Sequence, residues 1–127
     1  MRLKNRHIAF FIADLYEDLE FWYPFIRLKE EGAVLTVIGP QKAQYQGKKC
    51  LPASSDIGID QASVADFDAL VIPGGYAPDH MRRTPEMIEF VSEMNRQGKL
   101  LAAICHAGWV PASAGVLAGK QVTSFFS

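Results

Sequence analysis

Four apolar runs without polar alternation constrain the fold of this chain more than any other feature of its sequence. They are residues 7–13 (HIAFFIA), 33–39 (AVLTVIG), 69–75 (ALVIPGG) and 100–105 (LLAAIC). Strands that are apolar on both faces are typical of parallel sheets that helices cover on both sides. A chain of 127 residues has the length of one domain. The sequence therefore predicts an α/β fold with a parallel sheet, in a single domain over residues 1–127.

Helical signals follow three of these runs. Residues 17–32 have apolar side chains at helical spacing, and Pro24 predicts a kink or an early start of the helix. Residues 84–99 form the best-signalled helix, with Thr84 as its expected cap. Residues 106–119 predict a further helix directly after the last apolar run.

Two other segments carry weaker strand signals. The polar stretch 40–68 predicts a hairpin or an irregular excursion, in which residues 56–60 (DIGID) can form a short strand. Residues 121–127 (QVTSFFS) predict a fifth core strand at the end of the chain.

The most reactive side chain of the predicted strand ends is Cys105, within LLAAICHAGWV. One interpretation is a buried thiol, because free cysteine packs as a small hydrophobe. The other is a nucleophile at a sharp strand-to-helix turn, where backbone N–H groups and the helix dipole favour a thiolate. His106 follows, and at a tight turn its imidazole can take the thiol proton. The alternative for His106 is a hydrogen-bonded histidine at a helix N-terminus.

Acids and glycines follow the other strand ends. One interpretation of Glu17 and Asp18 is that their charges interact favourably with the dipole at a helix start. In the other, Glu17 faces the thiol as a protonated carboxyl, and Asp18 caps the helix or bonds the backbone. Residues 73–79 (PGGYAPD) predict a loop, in which the pair Gly74-Gly75 is either a simple tight turn or a source of backbone N–H groups for an oxyanion. Asp79 is a surface acid or an orienting partner of His106. Ligands of parallel sheets bind at these carboxyl ends, so we expect the site there.

Several function classes lose support from composition. The net charge of −1 provides no basic surface for nucleic acid or an anionic membrane. No apolar run approaches the ~18 residues of a membrane span. Cys50 and Cys105 have neither zinc nor CxxC spacing, and the three histidines are scattered. We therefore expect no metal and no cofactor, a reducing cytoplasmic location, and no catalytic role for Cys50.

Three stretches resemble the PfpI family, the intracellular protease/amidase-like proteins of the class I glutamine amidotransferase-like superfamily. They are residues 13–32, 68–83 and 98–125, in the family's order along nearly the whole chain. The resemblance implies a flavodoxin-like three-layer sandwich with a mostly parallel sheet. Family members continue with further strands and a final helix, so we expect this chain, ending at Ser127, to lack those elements and to be C-terminally incomplete.

The resemblance also implies roles for particular residues. Cys105 matches the family nucleophile, His106 its adjacent base, and Glu17 the buried acid that touches the cysteine. Asp79 matches an acid that completes a Cys-His-acid triad with a neighbouring chain's histidine, which implies a homodimer or a larger oligomer.

For oxyanion binding, the resemblance implies the backbone N–H groups of Gly75 and His106, with Gly74 in the same loop. Tyr76 occupies a substrate-binding position where many family members have arginine, so an anchoring charge is expected to be lost there.

Two main functions follow as expectations. The first is a cysteine-dependent hydrolase, either a peptidase/amidase or a glyoxalase- or deglycase-like enzyme that acts on small carbonyl compounds. The alternative is a non-enzymatic stress-response protein, with Cys105 as a redox sensor or with chaperone activity. A plain binding or scaffold module of flavodoxin-like fold is the third and weakest possibility, because no glycine-rich loop that would bind the phosphate of a flavin is present.

Overall fold

A five-stranded parallel sheet forms the centre of the protein in the computed structural model, which describes residues 1–126. The strand order is β5-β2-β1-β6-β7, and every neighbouring pair is parallel. The strands are β1 (His7–Phe11), β2 (Val34–Gly39), β5 (Ile57–Gly58), β6 (Ala69–Ile72) and β7 (Leu100–Ala103). The predicted α/β fold with a parallel sheet is confirmed.

Four α-helices accompany the sheet over the described residues. They are α1 (Asp18–Glu30), α2 (Ala77–Arg82), α3 (Pro85–Arg96) and α4 (Trp109–Ser113). The predicted helix at 17–32 is confirmed as α1. Pro24 lies inside it, where it removes a hydrogen bond to the Glu20 carbonyl. The predicted helix at 106–119 is shorter than expected, because a 3₁₀ turn (Cys105–Gly108) precedes α4.

Adjacent phenylalanines on β1 fix the layers on the two faces of the sheet. Neighbouring strand residues point to opposite faces. Phe10 packs against Phe21 and Phe25 of α1, with ring centroids 5.8 and 5.4 Å away. Phe11 packs against Phe90 of α3 at 5.6 Å. The helices α1 and α3 therefore cover opposite faces, which gives the expected three layers.

The polar excursion folds as the sequence predicts. Strands β3 (Gln44–Gln46) and β4 (Pro52–Ser54) form an antiparallel hairpin, and the segment DIGID supplies the short edge strand β5. The loop between β3 and β4 packs against the start of α1. There Asp18 accepts hydrogen bonds from the backbone N–H groups of Lys49 at 2.8 Å and Leu51 at 3.0 Å.

Three local predictions are wrong. Residues 121–126 form no strand, and Ser127 lies outside the described residues. The Phe125 ring instead packs on His106 at 4.4 Å, so Phe125 lies against the turn Cys105–Gly108, which we call the elbow, rather than beside a strand. Thr84 lies at the N-cap position of α3, as expected, but its side chain does not cap the helix, since its hydroxyl donates to the His80 carbonyl at 3.2 Å. The predicted loop at 73–79 turns into α2 at Ala77.

Candidate active site

The candidate site lies at the carboxyl ends of three adjacent strands, β1, β6 and β7. Because these strands are neighbours in the sheet, the segments that follow them meet. Backbone hydrogen bonds join the first two segments: the Glu17 N–H donates to the Gly74 carbonyl at 3.2 Å, and the Tyr76 N–H donates to the Leu15 carbonyl at 2.9 Å. The strand order changes direction between β1 and β6, which is the place where open α/β sheets bind ligands.

Cys105 occupies a strained turn directly after β7. Its φ is +60°, in the left-handed region that non-glycine residues rarely adopt, while Ile104 before it is extended with φ −129°. Such a conformation costs about 1–3 kcal/mol and persists where the surrounding structure imposes it. The thiol is half-buried. The sharp strand-to-helix turn expected for Cys105 is therefore present.

His106 remains beside the cysteine instead of diverging from it. Its Nδ1 lies 3.4 Å from the Cys105 Sγ, within the range of a sulfur hydrogen bond. The imidazole packs against the Trp109 ring at 5.1 Å and the Phe125 ring at 4.4 Å. Two aromatic contacts and the thiol therefore define the position of the ring.

The loop after β6 approaches Cys105 so closely that one position accepts only glycine. A methyl group added at Gly74 would lie 2.9 Å from both the Cys105 Cβ and the Ile104 carbonyl oxygen. Gly75 follows with φ +79°, a conformation that side chains disfavour. This close approach brings the Gly74-Gly75 backbone to the elbow that carries the thiol.

The carboxyl beside this loop belongs to Glu20, not to the predicted Glu17. The Cβ position of Gly74 lies 2.6 Å from Glu20 Oε1, so Glu20 and Cys105 flank the same point. Glu17 instead forms an ion pair with Lys48, with 3.4 Å between Oε2 and Nζ. Glu17 is the extended residue that precedes α1, with φ −75° and ψ 116°, whereas Glu20 lies inside the first helical turn, so the two side chains leave the backbone in different directions.

Glu20 has an environment that favours its protonated form. Burial raises the pKa of its carboxyl above the ordinary value, and the charge of Glu17 raises it further. The Gly74 backbone and the charge of Lys48 oppose this shift in part. Oε1 is buried without a hydrogen-bond partner among residues 1–126. In its protonated form, Glu20 would provide a hydrogen-bond donor beside the elbow.

The remaining predicted residues lie around this centre. Asp18 bonds the backbone, as expected, through Lys49 and Leu51. Tyr76 is exposed at the start of α2, and the Lys48 ammonium lies 5.1 Å from the centre of its ring.

Asp79 lies in α2, where its carboxylate pairs with Arg83 of the same chain at 2.7 Å. Its predicted contact with a neighbouring chain's histidine stays a prediction.

Two cavities adjoin the elbow. One, of about 530 Å³, is apolar apart from Glu20 and lies between α1 and the ends of β6 and β7. The other, of about 440 Å³, includes Cys105 and Trp109 among its lining residues. Within residues 1–126, no group of three or more His, Cys, Asp or Glu side chains is placed to hold a metal ion. In the same part of the chain, no helix is long and apolar enough to cross a membrane.

Sequence reasoning missed Glu20 and Lys48. Glu20 had a usable signal, because it shares a helical face with Tyr23 and Pro24 and so interrupts an apolar stripe. All three side chains line the larger cavity. Lys48 had none, since its position depends on the fold of the β3–β4 hairpin.

Comparison with known proteins identifies the family. The model of the DJ-1/PfpI family matches residues 6–127. The chain belongs to the DJ-1/PfpI family. The resemblance to PfpI proteins noted in the sequence is thereby confirmed.

Curated members of the DJ-1/PfpI family include several proteins named deglycases. Deglycase PfpI of Pyrococcus furiosus is 39% identical over 118 residues, which cover 93% of this chain and 71% of that protein. Protein/nucleic acid deglycase 2 of Escherichia coli is 34% identical, over 94% of this chain and 71% of that protein. General stress protein 18 of Bacillus subtilis is also 34% identical, over 97% and 73%.

Solved structures of the same family share the fold. A two-domain protein of Anabaena variabilis, with DJ-1/ThiJ/PfpI-like and ferritin-like domains, superimposes with a TM-score of 0.93 and 41% identity. The match covers 96% of this chain and 36% of that one. Drosophila melanogaster DJ-1beta gives a TM-score of 0.87 at 28% identity, over 94% of this chain and 65% of that one. The expected flavodoxin-like α/β architecture is confirmed.

Proposed function

We propose that the protein is a cysteine-dependent deglycase that acts on small carbonyl compounds and their adducts. One observation carries the proposal: a strained Cys105 has its sulfur 3.4 Å from the His106 imidazole, and the half-buried Glu20, with one buried carboxyl oxygen, lies across Gly74. Nucleophilic catalysis by cysteine requires a neighbouring base and a preorganised place for the negative charge that develops. The deglycases among the relatives favour this chemistry over peptide hydrolysis.

The first step is the attack of the Cys105 sulfur on an aldehyde carbon. His106 takes the thiol proton, the S–C bond forms, and the carbonyl electron pair moves to oxygen. The backbone N–H groups of Gly75 and His106 are the proposed donors to that oxygen. With a 2-oxoaldehyde such as methylglyoxal, transfer of the C1 proton to C2 converts the hemithioacetal into a thioester. Water then hydrolyses the thioester to a 2-hydroxy acid and regenerates the thiol, so one water is added overall.

Glu20 is the proposed acid of this site. Its protonated carboxyl can donate a hydrogen bond to a substrate oxygen that gains electrons in the transition state. The cavity of about 530 Å³ beside Glu20 would accept the apolar part of a small substrate.

The test is lactate formation from methylglyoxal by the wild type, Cys105→Ala and Cys50→Ser. We expect Cys105→Ala to lose activity by at least about 10³-fold, because no other group is placed to form the covalent bond. Cys50 is exposed in the β3–β4 loop, and Cys50→Ser is the matched control that should retain activity. A covalent adduct should appear by mass spectrometry on the Cys105 peptide. Equal turnover by wild type and Cys105→Ala would contradict the proposal.

A second candidate function is redox sensing by the same thiol. The similarity to a general stress protein favours it, as does a half-buried cysteine 3.4 Å from an imidazole nitrogen. Stoichiometric oxidation of Cys105 by peroxide, with no turnover of methylglyoxal under any condition, would support sensing and exclude the deglycase.

We also propose a homodimer or larger oligomer in which Asp79 approaches a partner's His106. The support is the position of Asp79 on α2, with its side chain only 36% exposed and paired to Arg83. Analytical ultracentrifugation gives the mass of the assembly. Asp79→Asn should lower kcat without changing that mass, and unchanged kinetics would exclude the role.

A further inference from the structure

The β3–β4 hairpin brings the positive charge of Lys48 to the site, which no sequence motif had predicted. The Lys48 ammonium lies 3.4 Å from Glu17 Oε2 and 5.1 Å from the centre of the Tyr76 ring. Tyr76 directly follows Gly75, and Glu17 is bonded through its backbone to Gly74. Lys48 therefore lies at the rim of the cysteine site, beside the exposed Tyr76 ring. Tyr76 replaces the arginine of many family members, so Lys48 supplies a positive charge close to the position where one was expected to be lost.

The loop that carries Lys48 is held in place by backbone bonds on both of its sides. The Lys48 N–H donates to the Tyr16 carbonyl at 2.8 Å. The next residue, Lys49, donates its N–H to the buried Asp18 carboxylate, and Leu51 does the same. This anchoring presents the Lys48 side chain toward the site instead of leaving it on a mobile surface loop.

The pairing with Glu17 leaves Lys48 able to bind another anion. The side chains of Lys48 and Glu17 are 34% and 25% exposed, so water reaches both members of the ion pair and weakens it. An ammonium has three N–H donors, so one can bond Glu17 while another meets a ligand. The charge of Lys48 also reaches Glu20, whose pKa it lowers in part.

We propose that Lys48 is a specificity-determining residue that binds a carboxylate on the substrate while Cys105 attacks its carbonyl carbon. This inference rests on the proposed function and names the substrate class: carbonyl adducts that carry a carboxylate near the reacting carbon. The aromatic ring of Tyr76 holds the ammonium by a cation–π contact and forms an apolar wall beside it.

The decisive test needs no turnover and compares two alkylating reagents of similar size. Iodoacetate is an anion and iodoacetamide is neutral, and each forms a thioether at a thiolate with loss of iodide. Rates at the Cys105 peptide are measured at low salt in a Cys50→Ser background, which leaves one of the two cysteines. We expect Lys48→Met to lower the iodoacetate-to-iodoacetamide rate ratio by about tenfold, and Lys48→Arg to restore most of it.

Two further variants control this result. Lys49→Met removes the same charge from the neighbouring residue and should leave the ratio within about twofold. Glu17→Gln removes the competing carboxylate and should raise the ratio by about two- to threefold. Salt at 1 M should reduce the preference of the parent protein by screening. A ratio unchanged in Lys48→Met, or lowered equally by Lys49→Met, would overturn the proposal.

Turnover provides a second arm that separates the two proposals. The methylglyoxal hemithioacetals of N-acetylcysteine and N-acetylcysteine amide differ only in a carboxylate. Lys48→Met should raise the KM for the first about tenfold and leave the KM for the second within about twofold. If the parent protein turns over neither adduct, the deglycase proposal fails, whereas the alkylation ratio still decides the role of Lys48.

Discussion

Asp18 and Glu20 lie two residues apart in the first turn of α1, yet their carboxyl groups meet opposite environments. Asp18 faces the β3–β4 loop and accepts N–H bonds from Lys49 and Leu51 at 2.8 and 3.0 Å. Glu20 faces the elbow, where one carboxyl oxygen is buried without a hydrogen-bond partner within residues 1–126. The Asp18 carboxylate therefore bonds the backbone with both of its oxygens, whereas the Glu20 carboxyl keeps one oxygen available for another hydrogen bond.

The difference matches a structural role for Asp18 and the chemical role proposed for Glu20. A buried polar group that is fully bonded stabilises the structure around it, and a buried group left unbonded costs stability. Proteins retain the second kind mainly at functional sites. We call the loop segment 49–51, which Asp18 bonds, the clamp, and compare it with the elbow at Cys105–Gly108. Each prediction below tests whether stability depends mainly on the clamp and activity mainly on the elbow.

The largest expected effect is on activity, from Glu20→Gln. The amide cannot transfer a proton as the carboxylic acid does, so we expect kcat/KM to fall by about 10²-fold or more. The free energy of unfolding should stay equal or increase, because the variant removes an ionisable group that burial disfavours. Steady-state kinetics and guanidinium unfolding measure the two effects. Loss of stability in parallel with activity would contradict the division between clamp and elbow.

Asp18→Ala should have the opposite signature. It leaves two backbone N–H groups without their charged acceptor, and we expect unfolding to become easier by about 3 kcal/mol. Guanidinium unfolding followed by circular dichroism gives this value. Asp14 is the control: it is exposed and bonds the backbone of the same hairpin through Gln46, so Asp14→Ala should cost less. Equal losses for both variants would show that burial of Asp18 contributes nothing special.

Two glycines extend the comparison to the backbone. A methyl at Gly47 would lie 2.5 Å from Asp18 Oδ2, and one at Gly74 would lie 2.9 Å from Cys105 Cβ. Each alanine substitution should cost about 1.5 kcal/mol of stability through overpacking. Only Gly74→Ala should also change the alkylation rate of Cys105, because only this methyl contacts the cysteine. Gly47→Ala should lower stability by a similar amount and leave that rate unchanged. Gly98→Ala separates backbone strain from overpacking, because Gly98 has open space for the methyl but, unlike Gly47 and Gly74, a positive φ.

The smallest expected effect is on the pH dependence of stability. The folded state raises the pKa of Glu20 above its ordinary 4.5, so the folded protein binds this proton more tightly than the unfolded chain does. Stability relative to Glu20→Gln should therefore be greatest below pH 4.5 and decline as the pH rises through the raised pKa. Unfolding titrations of both proteins between pH 4 and 8 give the difference. A difference that is flat or that rises with pH would contradict the assignment.

Strand positions were predictable because each depends on local composition. The runs at 7–13, 33–39, 69–75 and 100–105 all contain strands of the parallel sheet. The strand predicted at 121–127 was wrong, because an apolar segment forms a strand only where a neighbouring strand can pair with it. Phe125 packs on the elbow instead. Composition can predict that a segment prefers burial, but pairing depends on which edges the rest of the fold leaves open.

The sequence by itself determined the fold class, the order of the elements and the place of Cys105 at a strand end. These features follow from hydrophobic runs and turn residues that are adjacent in the chain. Only the tertiary structure decided which acid faces the elbow and which lysine reaches the rim. Glu17 precedes α1 in an extended conformation and pairs with Lys48, whereas Glu20 lies inside the helix beside Gly74, so contacts formed only on folding select Glu20 over Glu17. The hairpin that carries Lys48 reaches the site through backbone bonds to Tyr16 and Asp18, which are distant in sequence and close only after folding.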